Sequence, residues 1–167
     1  MKAKIFAPFL LSLLFATGLN SHASGLGPCE GQGSAILVNT NQHLLWICQD
    51  GRDIEKFRLS IGRGGIDKRK QGDNKTPIGE YALGEPKASA LFGTFIPIGY
   101  PTAEQKVKGY SGNNVGLHGP SFFFKWLGRI NTWFDWTAGC IAVGSENEIN
   151  RIAKWVKEHP GCRIFIR

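Results

Sequence analysis

Most signals of a membrane, nucleic-acid or metal protein are missing from this 167-residue chain. After a first apolar run, Ile5 through Ala16, no segment is apolar for long enough to cross a bilayer, and that run is itself short for a spanning helix. His, Cys, Asp and Glu are not clustered at ligand spacing, so no metal is expected. Gly62-Arg63-Gly64-Gly65 is not followed by Lys-Ser/Thr and is no phosphate loop, and no cofactor is expected. There are no heptads, repeats or low-complexity tracts. No basic helix or aromatic RNA-binding signature is present, which argues against nucleic acid as a partner.

What the chain does have begins with an export pattern. Lys2 and Lys4 precede the apolar run, and Ser21-His22-Ala23 places small residues where a signal peptidase cuts. Residues 1–23 are expected to be a signal peptide and 24–167 a single domain, large enough for a real core. The expected location is the periplasm or cell envelope, with no stable membrane span after cleavage. The net charge is +7, and removing Lys2 and Lys4 leaves +5, which suits an anionic wall or membrane surface. Cysteines stand at 29, 48, 140 and 162, and export permits disulfides. Cys29–Cys48 is the expected structural pair, which leaves Cys162 as a buried or spare thiol.

Short β-prone runs dominate the pattern. Ala35–Asn39 and His43–Cys48 read as a hairpin, Ile54–Ile61 as a third strand, and Gly62–Asn74 as a glycine-rich basic loop. Further apolar runs lie at Phe92–Ile98, Val115–His118, Ile141–Val143 and Ile164–Ile166, and a turn at Thr76-Pro77 leads into a strand through Leu83. One helix is clear: Ser145-x-x-Glu148 is a capping-box pattern, Ile149, Ile152, Ala153 and Val156 share a face, and Pro160-Gly161 ends it. The class is mainly β with one good helix.

Two segments carry chemistry. Gly116-Leu117-His118-Gly119 and Thr137-Ala138-Gly139-Cys140-Ile141 each place a reactive side chain at the end of a short apolar strand beside glycine. Cysteine attacks as thiolate, and a neighbouring imidazole can take its proton. A Gly-Cys step can also aim consecutive N–H groups at one point, as an oxyanion hole requires. Taken singly, His118 reads as a satisfied core histidine and Cys140 as a disulfide half or small buried residue; the shared glycine context tips both towards catalysis.

These segments resemble the L,D-transpeptidase catalytic domain (YkuD-like) family, whose hallmark is His-Gly, a gap, then Ser/Thr-x-Gly-Cys and an aliphatic residue. Gly72-Asp73-Asn74-Lys75-Thr76-Pro77-Ile78-Gly79-Glu80-Tyr81 is similar to an upstream family element. The chain departs from the pattern at Ala138, where the family commonly has His, and at Ala142, where it has Arg or Asn. The resemblance implies a β-sandwich of mixed sheets with one main helix in the C-terminal half. It also implies a Cys140 nucleophile, a His118 base oriented by the Gly119 carbonyl, and an oxyanion held by the N–H groups of Ala138, Gly139 and Cys140. The implied substrates are peptidoglycan stem peptides, with transfer of a Cys140 thioester to an amine. Water as acceptor would make a carboxypeptidase, and a non-catalytic wall-binding module is a further alternative.

Thr137 belongs to the motif and is expected at the substrate site. Trp133 and Trp136, in the aromatic stretch between the motif halves, are expected to wall the cleft, although core filling is an equal reading for about half of such residues. Arg129 and Lys125 could meet a substrate carboxylate or simply be solvated. Tyr100 and Tyr110 could each lend a hydroxyl. A monomer is expected.

Overall fold

The computed structural model describes residues 27–167, so the expected signal peptide lies outside the described residues. Nine strands form one mixed sheet: β1 (Ala35–Asn39), β2 (Leu44–Gln49), β3 (Arg52–Ser60), β4 (Gly79–Ala82), β5 (Lys87–Ser89), β6 (Gly93–Pro97), β7 (Gly116–His118), β8 (Ile141–Val143) and β9 (Arg163–Ile166). Their order is β4-β9-β1-β2-β3-β8-β7-β6-β5. The β1–β9 and β7–β8 pairs are parallel and the others antiparallel. The sheet curls until its two ends meet, where Leu83 bridges Ile98 and the Gly84 N–H donates to the Pro97 carbonyl.

Period-two alternation decides which face each strand buries. Ile36, Val38, Leu45 and Ile47 point into the main core, whereas Ala35, Leu37, Trp46 and Cys48 point the other way into a smaller cluster with Cys29. That smaller cluster is closed by a Cys29–Cys48 disulfide with a Cα–Cα separation of 5.3 Å. Cys162 is a free thiol buried in the main core.

Helix α1 (Ala103–Val107) is short and capped by Thr102 and Gln105 in a reciprocal box. Helix α2 (Glu146–Glu158) starts at Ser145, whose hydroxyl accepts from the Glu148 N–H at 3.2 Å, and it buries Ile149, Ile152, Ala153, Trp155 and Val156. The expected return bond from Glu148 to Ser145 does not form. The Glu148 carboxylate accepts instead from the Gly144 N–H at 2.8 Å and pairs with Arg129. The cap therefore ties the helix to the end of β8, immediately downstream of Cys140. Between β7 and β8 the chain forms a 3₁₀ segment, Phe122–Thr132, kinked at Gly128.

Candidate active site

The site is organised by the parallel pairing of β7 and β8, in which Leu117 faces Ile141 and His118 faces Ala142. Continuing that register sets Cys140 beside Gly116, one diagonal step from His118 and on the same face of the pair. The opposite face, carrying Leu117, Ile141 and Val143, is main core.

His118 is buried, and its Nδ1 lies 2.6 Å from the Gly119 carbonyl oxygen. Because a carbonyl can only accept, the proton sits on Nδ1 and the Nε2 lone pair is left to act as a base. The Phe92 ring stacks on the imidazole with centroids 3.7 Å apart, and Trp136 tilts against it at 5.6 Å. Burial in this aromatic cage lowers the imidazole pKa to about 4, against a smaller upward pull from the Gly119 carbonyl. The ring is therefore neutral at pH 7.

Linkage turns that shift into a testable stability effect. Between pH 6.5 and about 4 the unfolded chain binds a proton that folded His118 refuses. This contribution to stability is present above pH 6.5 and is lost as the pH falls towards 4, by roughly 3 kcal/mol in all. Urea unfolding at pH 7.5 and pH 4 should show a steeper loss for the wild type than for His118→Gln. Equal slopes would contradict a buried neutral imidazole.

Cys140 is half-buried at the wall of a cavity of about 360 Å³ that also touches Lys68, Gln71, Asn113, Asn114 and Ala138. Its thiol donates to the Asn114 carbonyl at 3.5 Å rather than to the imidazole. Burial pushes the thiol pKa up, while the Gly116 backbone and the Lys68 charge pull the other way. The resting pair is thus a neutral thiol and a neutral imidazole, and a hydrogen bond between them would need the Cys140 side chain to turn from Asn114 towards Nε2.

The turn that presents Cys140 is held from below. The Thr137 hydroxyl donates to the Cys140 carbonyl at 2.7 Å and accepts from the Gly139 N–H at 3.1 Å. Thr76, from the upstream motif, also donates to the Cys140 carbonyl, at 3.4 Å, and accepts from the Gly62 N–H at 2.9 Å. Gly139 has φ +123°, and a Cβ there would fall 2.5 Å from the Lys75 carbonyl oxygen. The Gly72–Tyr81 element thus packs directly under the cysteine turn, which is why both stretches need small or hydroxyl residues. On the approach side, Asp135 accepts from the Ile61 N–H at 3.0 Å and meets His43, and the Ser60 hydroxyl donates to the Phe134 carbonyl.

Several expected roles change with this geometry. The Gly139 N–H is committed to Thr137, so of the three N–H groups expected at the oxyanion those of Ala138 and Cys140 are without an acceptor among the described residues. Thr137 is buried and shapes the turn rather than lining the cavity. Tyr100 is buried with its hydroxyl donating to the Lys68 carbonyl at 3.0 Å, and Tyr110 packs on the core beneath Arg69, so neither hydroxyl reaches the cavity. Arg129 and Trp133 line a different cavity, of about 380 Å³, with Lys56, Arg58 and Glu148. There Arg129 pairs with Glu148; outside that cavity, Lys125 pairs with Glu146. Of the expected wall residues, Trp136 is the one beside His118, with its indole N–H buried and lacking an acceptor among the described residues. The sequence reading missed Lys68, Phe92 and Asn114; Lys68 could have been found from Asp73, the motif carboxylate five residues on, which needs a cation.

Residues 33–166 match the model of the L,D-transpeptidase catalytic domain, YkuD. The chain belongs to this family. A search of curated proteins gave no match. Among solved structures, the chain is similar to the helical cell shape determining protein Pgp2 from Campylobacter jejuni, with 24% identity, a TM-score of 0.64, and coverage of 80% of this chain and 46% of that one. It is similar to Bd1075 from Bdellovibrio bacteriovorus at 24% identity and a TM-score of 0.57, covering 80% and 47%. An L,D-transpeptidase from Stackebrandtia nassauensis matches at 13% identity and a TM-score of 0.56, covering 87% and 61%. The chain therefore spans about half the length of the first two, and these likenesses establish the fold.

Proposed function

We propose that this L,D-transpeptidase-family domain is an exported cysteine acyltransferase acting on peptidoglycan stem tetrapeptides. The observation that carries the reading is the parallel β7–β8 pair, which sets Cys140 and His118 on one face with the imidazole tautomer fixed by Gly119. Residues 1–23 would be removed on export, and residues 24–167 would act as one domain.

The chemistry follows from the groups present. His118 Nε2 takes the Cys140 proton, and the thiolate adds to the carbonyl of the third stem residue, usually a meso-diaminopimelate. The N–H groups of Ala138 and Cys140 hold the oxyanion. The C–N bond to the terminal D-alanine breaks, and the His118 imidazolium returns its proton to the leaving amine. An amine of a second stem peptide then attacks the thioester, loses its proton to His118 and restores the thiol. The neutral resting pair has a use in this scheme: neither the thiol nor the imidazole carries a buried charge until substrate fills the cleft.

Mass spectrometry of purified stem tetrapeptide incubated with the protein tests this reading. Loss of D-alanine coupled to dimer formation, or to exchange for another D-amino acid, is the expected result. Release of alanine with tripeptide as the sole other product would make water the acceptor and the protein a carboxypeptidase. Unchanged tetrapeptide would leave the wall-binding module as the better reading.

A further inference from the structure

Lys68 is buried, with 4% of its side chain exposed, yet it lines the cavity that holds Cys140. Long cations are almost never this buried unless paired. Here Nζ donates to Asp73 Oδ1 at 2.7 Å and to the Lys70 carbonyl at 3.1 Å. An ammonium has three protons, and the third has no partner among the described residues.

Asp73 is not free to neutralise anything further. It also accepts from the backbone N–H groups of Arg69, Lys70 and Lys75. Burial alone would raise its pKa, but the Lys68 bond and these three N–H groups hold it well below the usual carboxylate range. The remaining lining supplies amides from Gln71, Asn74, Asn113 and Asn114, and it contains no carboxylate. The enclosing loop, residues 62–76, carries five basic residues (Arg63, Lys68, Arg69, Lys70, Lys75) against Asp67 and Asp73, a net of +3.

Two glycines seat the ammonium under the cysteine turn. A Cβ at Gly139 would lie 3.7 Å from Lys68 Nζ, and one at Gly112 would lie 3.0 Å from Lys68 Cε. A group bound to the spare proton would therefore sit next to the carbonyl that Cys140 attacks. We propose that Lys68, held by Asp73, is a carboxylate-binding subsite that anchors a free carboxylate of the acyl donor beside Cys140. The proposal rests on the acyl-transfer reading for the identity of the donor. The carboxylate could be that of the terminal D-alanine or that on the diaminopimelate side chain; the first would restrict the enzyme to chain ends.

Binding to Cys140→Ser, which keeps the cavity and lacks the thiol, tests the subsite apart from turnover. The probes are the tetrapeptide as free acid, its D-alanine amide and its diaminopimelate amide, measured by calorimetry. The free acid should bind about 10- to 100-fold more tightly than the amide that masks the anchored group, the range for one hydrogen bond to a charged partner. The amide that loses affinity identifies the source. Lys68→Met combined with Asp73→Asn, which removes both charges of the buried pair, should bind all three peptides alike. Equal affinities in Cys140→Ser, or discrimination that survives the paired substitution, would overturn the proposal. Wild-type turnover is read separately: Lys68-dependent binding with no alanine released would sink the acyl-transfer reading and keep the subsite.

Discussion

Replacing Cys140 with alanine is expected to reduce turnover of stem tetrapeptides to background, a loss on the order of 10⁶-fold if the thioester route is used. No neighbouring group can substitute. Thr137 is buried with its hydroxyl engaged on both sides, and Cys162 lies in the main core. Folding should survive, because the half-buried thiol makes one long hydrogen bond, to Asn114, and the turn is held by Thr137 and Thr76 through the backbone. A change in unfolding free energy within about 1 kcal/mol is therefore expected. Circular dichroism and urea titration check the fold, and chromatography of released alanine checks the activity. Residual turnover above a few per cent would remove Cys140 from the mechanism.

The second large effect is expected at Gly139→Ala. The added methyl group meets the Lys75 carbonyl oxygen at 2.5 Å, and φ +123° is a backbone angle that alanine resists. Holding a non-glycine residue in such a region costs about 1–3 kcal/mol, and the clash with a fixed carbonyl adds to it. The turn must shift, and it carries the two N–H groups assigned to the oxyanion. Loss of one such donor typically lowers kcat by about 10²–10³-fold. Gly161→Ala is the matched control: its φ is +83° and nothing lies within 4 Å of the added carbon. It should share part of the stability loss and keep full kcat. Equal kcat for both variants would mean that the Gly139 turn does not shape the oxyanion site.

The sequence made the main helix and the first strands legible because each depends on local pattern. Ser145 and the Ile149, Ile152 and Val156 spacing mark α2, and continuous apolar, β-prone runs either side of a turn mark β1 and β2. Glu148 shows the limit of local pattern. Its bond to Gly144 rather than Ser145 depends on how β8 enters the helix and on Arg129 across the kink. Arg129 and Trp133 are suggested for the site by their place between the two motif halves. That place says nothing about which side of a curled sheet a residue reaches, and Arg129 and Trp133 reach a different cavity. A run this rich in Phe and Trp reads as core, so its 3₁₀ form, kinked at Gly128, and the exposure of Phe122, Phe123, Trp126 and Trp133 were not readable. Lys68 stayed hidden because a lysine in a basic, glycine-rich loop looks solvated. Its burial comes from Gly112 and Gly139, residues distant in sequence that leave it room.

Intact-mass analysis of the protein, quenched with acid during turnover of stem tetrapeptide, tests the central claim most directly. The account predicts an adduct equal to the tripeptide acyl group, located on the peptide containing Cys140, absent from Cys140→Ala and accumulating more slowly in His118→Gln. Turnover with no adduct, or an adduct on another residue, would contradict it.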